Sequence, residues 1–258
     1  MKLTFRNVMM TLLAMGLPLT AGAQENEEGV SSYVDIDLVS HYIWRGMDIG
    51  GLSIQPEASV SWKGLLFRIE GSAGFENTDH KEIDVTLGYE THGFNVGIID
   101  YWTSGVDKDD RYFAFEKKGA HQLEANLGYT CKYGSLQAYT MFWGNDFKIS
   151  GSQAYSTYIE LSVPFKLGGV DWTATVGGTP FESAGKQTET TYETNIGTMV
   201  ETHRDYFYAE GAACVNATLR ATKTLDLGKI HLPVFAELNT NPYLQTATVI
   251  CGVSIIPF

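Results

Sequence analysis

Glu82-Ile83-Asp84-Val85-Thr86-Leu87-Gly88-Tyr89-Glu90 decides the fold. A strand sends successive side chains to opposite faces. Here Ile83, Val85, Leu87 and Tyr89 share one greasy face, while Glu82, Asp84 and Glu90 lie on the acidic one. Nine residues are also enough to cross a bilayer as a tilted strand, which takes about 9–11. A single segment of this kind fits a soluble sandwich equally well, so the reading depends on how often it repeats.

Working outward, the same alternation marks twelve segments: 34–44, 53–62, 65–76, 82–90, 94–102, 121–131, 135–144, 154–165, 171–178, 206–224, 230–238 and 245–258. The connections between them alternate in length. Short ones (63–64, 91–93, 132–134, 166–170 and 225–229) all contain Gly, as tight antiparallel turns prefer. Long ones are 45–52, 77–81, 103–120, 145–153, 179–205 and 239–244. An even strand number with sorted loop lengths predicts an all-β chain: a single up-and-down antiparallel transmembrane barrel of about 12 strands, with short periplasmic turns and longer extracellular loops. In a sandwich the apolar faces would meet in a dry core; in a barrel they face lipid. Tyr42, Trp44, Trp62, Phe75, Tyr89, Trp102, Tyr129, Trp143, Phe165 and Trp172 stand at or near strand ends, as an interfacial aromatic belt requires.

The termini agree with export. Lys2 and Arg6, the apolar stretch 8–20 and Ala21-Gly22-Ala23 have the order of a cleaved signal peptide over 1–23. An acidic, flexible segment follows at 24–32, and the barrel occupies 33–258, ending in an apolar run that closes on Phe258. The expected location is a bacterial outer membrane, with its lipid as one partner. Of the 258 residues about 235 follow the signal, enough for one domain, and the net charge of −12 argues against nucleic acid. Cys131 sits beside a turn, Cys214 falls on the polar face of its strand and Cys251 on the apolar face, so all three read as free thiols with no metal site.

The inner face is where function is expected. It carries Asp35, Asp37, Glu57, Glu70, Glu82, Asp84, Glu90, Glu124, Glu160, Glu210 and Glu237 against Arg68 and Arg220. A low-dielectric wall of one charge sign concentrates counter-ions, and rings of Asp and Glu favour cations. The prediction is a passive channel for small polar or cationic solutes, without cofactor; the competing reading is a closed or plugged barrel acting as an adhesin or structural protein. A hydrolase site at the rim is the third. Asp79-His80, Asp146 and His203 with Asp205 supply base-and-carboxylate pairs, but no nucleophile motif accompanies them, so no catalytic residue is assigned. Loop 103–120 (Asp107, Asp109, Asp110, Arg111) lacks the spacing of a calcium loop. Loop 179–205, rich in Thr and Glu, either folds into the mouth as a constriction or stands in solvent. Oligomeric state is not encoded in any of these features.

The first corner, Ser40-x-Tyr42-x-Trp44-Arg45-Gly46 followed by Ser53-Ile54-Gln55-Pro56, resembles the start of the TorF-like porins, a family of bacterial outer-membrane proteins. The resemblance covers about the first quarter of the mature chain and implies a barrel more strongly than a substrate. It places the aromatic-Arg-Gly corner at the external rim, where Arg45 would bond loop carbonyls and Gly46 would permit a sharp turn. Asp48-Ile49-Gly50-Gly51 stands where that family's start has a polar, Ser-rich loop.

Overall fold

In a computed structural model of the protein, which describes residues 24–25, 29–76, 81–104, 111–117, 119–194, 197–228 and 230–255, twelve antiparallel strands close into a barrel. They are β1 (Val30–Val39), β2 (Ser53–Trp62), β3 (Leu65–Gly74), β4 (Lys81–Thr91), β5 (Phe94–Ser104), β6 (His121–Cys131), β7 (Gly134–Trp143), β8 (Thr157–Leu167), β9 (Val170–Thr179), β10 (Ala213–Leu227), β11 (Ile230–Asn241) and β12 (Thr246–Ile255). Each pairs with its neighbours in sequence, and β12 returns to β1 with Gly252 opposite Val39 and Ile255 opposite Ile36. Closure removes the open edges that a flat sheet would leave.

The greasy face points outward. Leu87, Leu127 and Val249 are 63%, 60% and 66% exposed, and Val34, Val60, Phe67, Ile98, Leu161 and Leu238 stand on the same outer surface. Among the described residues no second sheet covers them, and the strands close into a cylinder instead of stacking as a sandwich. The turns explain why the register holds: Lys63-Gly64 and His92-Gly93 both have positive φ at the two turn positions, the twist-matched two-residue hairpin.

The boundaries differ from the sequence expectation in several places. Strand β1 starts at Val30 and stops at Val39, not at Trp44. Tyr42–Trp44 instead pairs with Met47–Gly50 in a small hairpin of its own, because Arg45 and Gly46 (φ 50° and 81°) reverse the chain. Strand β10 begins at Ala213 and not at Tyr206, since Gly185–Thr194 and Gly197–Tyr206 form a long external hairpin. The connection from β11 to β12 shrinks to a turn at 242–245, so the alternation of loop lengths fails there. Gln24–Glu25 pairs with Ser31–Ser32 inside the segment expected to be flexible. The signal peptide, Asp79-His80, Asp107, Asp109, Asp110 and the closing Phe258 lie outside the described residues.

A bulge in β10 corrects the placement of one cysteine. Gly177 faces Asn216 while Gly178 faces Cys214, leaving Val215 as the extra residue. The frame therefore slips, Asn216 points into the barrel, and Cys214 is exposed instead of joining the polar inner face. Cys131, Cys214 and Cys251 are free thiols.

The buried apolar cluster sits inside the cylinder. Tyr158, Tyr208, Ala209 and Val215 are buried together, with Trp44, Met47, Tyr139 and Phe207 packed against them. These rings belong to loop segments that fold inward and to the inner faces of β7, β8 and β10. The barrel thus has a packed core at its long-loop end, and a smaller buried cluster of Val39, Phe235 and Ile250 with Ile43 at the closing seam.

Candidate functional site

Two constructions share the lumen. The first is a knuckle at the long-loop end. The small hairpin of the first loop carries Arg45 into the barrel, where it is 4% exposed. Its two guanidinium nitrogens Nη1 and Nη2 donate to the two oxygens of Glu124 on β6, each at 2.7 Å, and Nη1 also donates to the Tyr208 hydroxyl at 2.7 Å. Tyr101 on β5 donates to the same carboxylate at 2.8 Å. The guanidinium lies over the rings of Tyr139 (4.0 Å) and Trp44 (4.3 Å), with Tyr158 at 4.9 Å. A planar fork that binds a carboxylate bidentately and stacks on aromatic faces is a task for Arg and not for Lys.

Packing leaves the knuckle no alternative residue at its tip. A Cβ on Gly46 would sit 1.9 Å from the Val215 carbonyl oxygen, in a left-handed conformation that side chains resist. Asn241 donates to the Gly46 carbonyl at 3.2 Å, tying the tip to the end of β11. On the other side Phe207 and Tyr208, which follow the long external hairpin, come back into the mouth and pack on Trp44. Burial alone would push the Arg45 guanidinium down; contact with Glu124 reverses that and holds it well above its ordinary value. Burial likewise raises the Tyr208 hydroxyl, so it stays a neutral donor and acceptor.

The second construction is an acidic chamber beneath the knuckle, with a volume of about 190 Å³. It extends from Arg45 down to Glu90 and Asn95, which flank the short turn between β4 and β5. The register of four neighbouring strands makes its wall: Asp35 faces Glu57, Glu57 faces Glu70, and Glu70 faces Asp84. Like charges set directly opposite one another destabilise a sheet. Arg68 reaches this row, at 3.3 Å from Glu57 and 3.7 Å from Glu70. Asp37 and Glu82 stand one step further toward the knuckle, the latter accepting from Tyr42 at 2.7 Å. Asp35 accepts from the Tyr33 hydroxyl and the Ile36 amide, and Asp37 from Ser254 across the closing seam at 2.5 Å.

The far wall of the lumen is different. Glu160 accepts from Tyr158 at 2.8 Å, Asn216 donates to the same hydroxyl, and Asn239 donates to Asn216. Arg220 lies 3.7 Å from Glu237 and stacks on Phe235 at 3.5 Å. This arc carries two carboxylates and one guanidinium and is bridged by amides.

Of the residues expected to line the lumen, Asp35, Asp37, Glu57, Arg68, Glu70, Glu82 and Asp84 surround the chamber, together with Gln55 and Pro56 of the first-corner motif. Glu124 belongs to the knuckle, and Glu160, Arg220 and Glu237 to the far wall. Glu210 is misplaced in the sequence reading. It lies before β10 begins, on an exposed segment beside Arg204 (3.8 Å) and Tyr206, because the long hairpin consumes the residues assigned to that strand. Arg45, expected to bond loop carbonyls at the rim, pairs with a buried carboxylate instead, and Tyr42 and Trp44 line the lumen and not an outer belt. The motif marked these residues, but only the fold shows which way the corner turns.

At the rim, Asp146 is buried and accepts from Ser156 and Gln153, a structural brace for loop 144–156. His203 and Asp205 form an exposed pair on the long hairpin. Among the described residues no three His, Cys, Asp or Glu side chains converge to hold a metal ion. No family model matches this chain, and a search of curated proteins finds no relative.

Proposed function

We propose that this barrel is an outer-membrane channel for small polar or cationic solutes, held shut on its long-loop side by the Trp44-Arg45-Gly46 knuckle. The observation that carries the reading is the row Asp35–Glu57–Glu70–Asp84, four carboxylates in register along the inner wall of a cylinder whose outer wall is apolar. An outward apolar band is what hydrocarbon requires of a spanning barrel. Setting four like charges opposite one another on adjacent strands costs stability, and local conflict of this kind is tolerated at functional sites. The resemblance of the first corner to the TorF-like porins supports the same class.

The arrangement of loops gives the sides. Short turns lie at the periplasmic end by the usual asymmetry, so the acidic chamber would face the periplasm and the knuckle the outside. Solute passage then requires the knuckle to leave Glu124 or to tilt past Tyr208. The plugged lumen also favours a second reading, a closed barrel whose external hairpin at 185–206 acts on a partner; the same measurement separates the two.

Purified protein in a planar bilayer under a salt gradient is expected to show infrequent openings whose reversal potential reports cation preference. Replacement of Arg45 by Ala should raise the open fraction at least tenfold. Anion preference, or silence from both proteins, would eliminate the channel.

A further inference from the structure

The chamber leaves four buried oxygens without a partner, beside the Nε donors of Arg45 and Arg68, which also make no hydrogen bond. Ser72 (6% exposed) and Asn95 (4% exposed) line it, and neither Ser72 Oγ nor Asn95 Oδ1 has a hydrogen-bond partner in the protein. Asp84 Oδ1 and Asn126 Oδ1, on the same wall, are buried and likewise without a partner. Buried polar atoms are normally satisfied, and each one left alone costs free energy. Three of these four atoms can only accept, so what fits them is a donor. The carboxylate row beside them adds that the donor should be cationic.

The spread of the carboxylates selects the kind of cation. They follow one another from strand to strand, about 4.8 Å apart in the hydrogen-bonding direction. A compact metal ion needs several oxygens at one point, and among the described residues no three carboxylates meet that way. A chain of ammonium groups separated by a few methylenes has a comparable repeat, brings two or three N–H donors at each nitrogen, and offers its methylenes to the ring faces. Tyr42, Trp44, Tyr101 and Tyr139 roof the chamber, and ammonium groups are attracted to such faces.

We infer that the acidic chamber is a binding site for short linear oligoamines, seated along the Glu57–Glu70–Asp84 row and donating to Asp84, Ser72 and Asn95. The inference rests on the channel reading for the solute's route in, but not for its binding. It therefore names the solute class that the lumen selects, and makes the chamber a loading site beneath the closed knuckle.

Titration calorimetry on the refolded barrel in detergent, with spermidine as probe, tests it without any transport. Saturable binding is expected, weakened about tenfold in Asp84→Asn and again in Glu70→Gln, since each loses one charge-assisted contact. Glu189→Gln on the external hairpin should bind as the parent does, and heat-dependent gel mobility confirms that each variant is folded. Absence of saturable binding overturns the inference; so does equal binding by all variants, which would report diffuse surface charge, and so does equal competition by magnesium, which would report a point-charge site. Spermidine binding by a barrel that passes no current would remove the channel and keep the site. Cation-selective current with no spermidine binding would do the reverse.

Discussion

The two parts of the lumen, one closed by inward-folded loops and one lined by strand faces, obey opposite rules. At the long-loop end each charged group is matched: Arg45 with Glu124, Tyr101 and Tyr208 in one hydrogen-bonded unit, all of it clad in rings. Below it, from the knuckle down to the short turn after β4, seven carboxylates (Asp35, Asp37, Glu57, Glu70, Glu82, Asp84 and Glu90) surround a chamber that Arg68 only partly neutralises. The first arrangement is what a barrel needs to hold one unique shape. The second gives up stability, and functional sites are where such local conflict is tolerated. A barrel of this kind divides its interior between a core and a workplace.

Breaking the core should have the largest effect. Glu124→Gln keeps the shape but leaves the Arg45 guanidinium buried without its counter-charge, which costs about 3–5 kcal/mol. The midpoint of urea unfolding in lipid vesicles should fall accordingly, and the knuckle should swing out, giving long-lived openings in a bilayer. An unchanged midpoint would mean that Arg45 contributes no lock at all. Gly46→Ala is the next step down. The added methyl meets the Val215 carbonyl at a distance no real Cβ tolerates, so the tip must retreat. Overpacking of this sort costs about 1–3 kcal/mol. Openings should again increase, while the Glu57–Glu70–Asp84 row, below the tip and not in contact with Gly46, keeps its affinity for cations. Loss of both together would show that the two halves are not separable.

The sequence made the cylinder legible and left its interior arrangement hidden. Alternation in 82–90 and its repeats is a local property, and so is the preference of Lys63-Gly64 or His92-Gly93 for a two-residue turn. The inner face followed from that alternation, which is why Asp35, Glu57, Glu70 and Asp84 could be named in advance. Register is not local. That these four stand in one row depends on how β1 to β4 slide past each other, and nothing in any single strand states it. The knuckle was hidden for another reason. Tyr42 and Trp44 continue the alternation of β1, so they read as strand, but the chain bends at Ser40-His41 and reverses at Arg45 and Gly46, which takes them out of the wall. Glu210 failed similarly, because a β-rich loop has the same periodicity as the wall it interrupts. A bulge such as that at Val215 shifts the frame by one, and no periodicity argument survives it.

The smallest expected effect bears most directly on the contrast between the two ends. If the chamber holds its charge at the expense of stability, then removing one carboxylate that lacks a partner on one oxygen should make the barrel firmer. Asp84 stands opposite Glu70, near Glu82, with Oδ1 unpartnered. Asp84→Asn keeps the volume, removes one like-charge opposition, and should stabilise by about 0.5 kcal/mol. The same change at Glu124 has the opposite sign and several times the size, although both residues are acidic, inward-facing and within two strands of each other. A paired comparison of urea midpoints, each variant against the parent in the same vesicles, isolates that difference in sign. Should Asp84→Asn destabilise instead, the carboxylate row would be a structural network like the knuckle, and the division of the lumen into a core and a site would not hold.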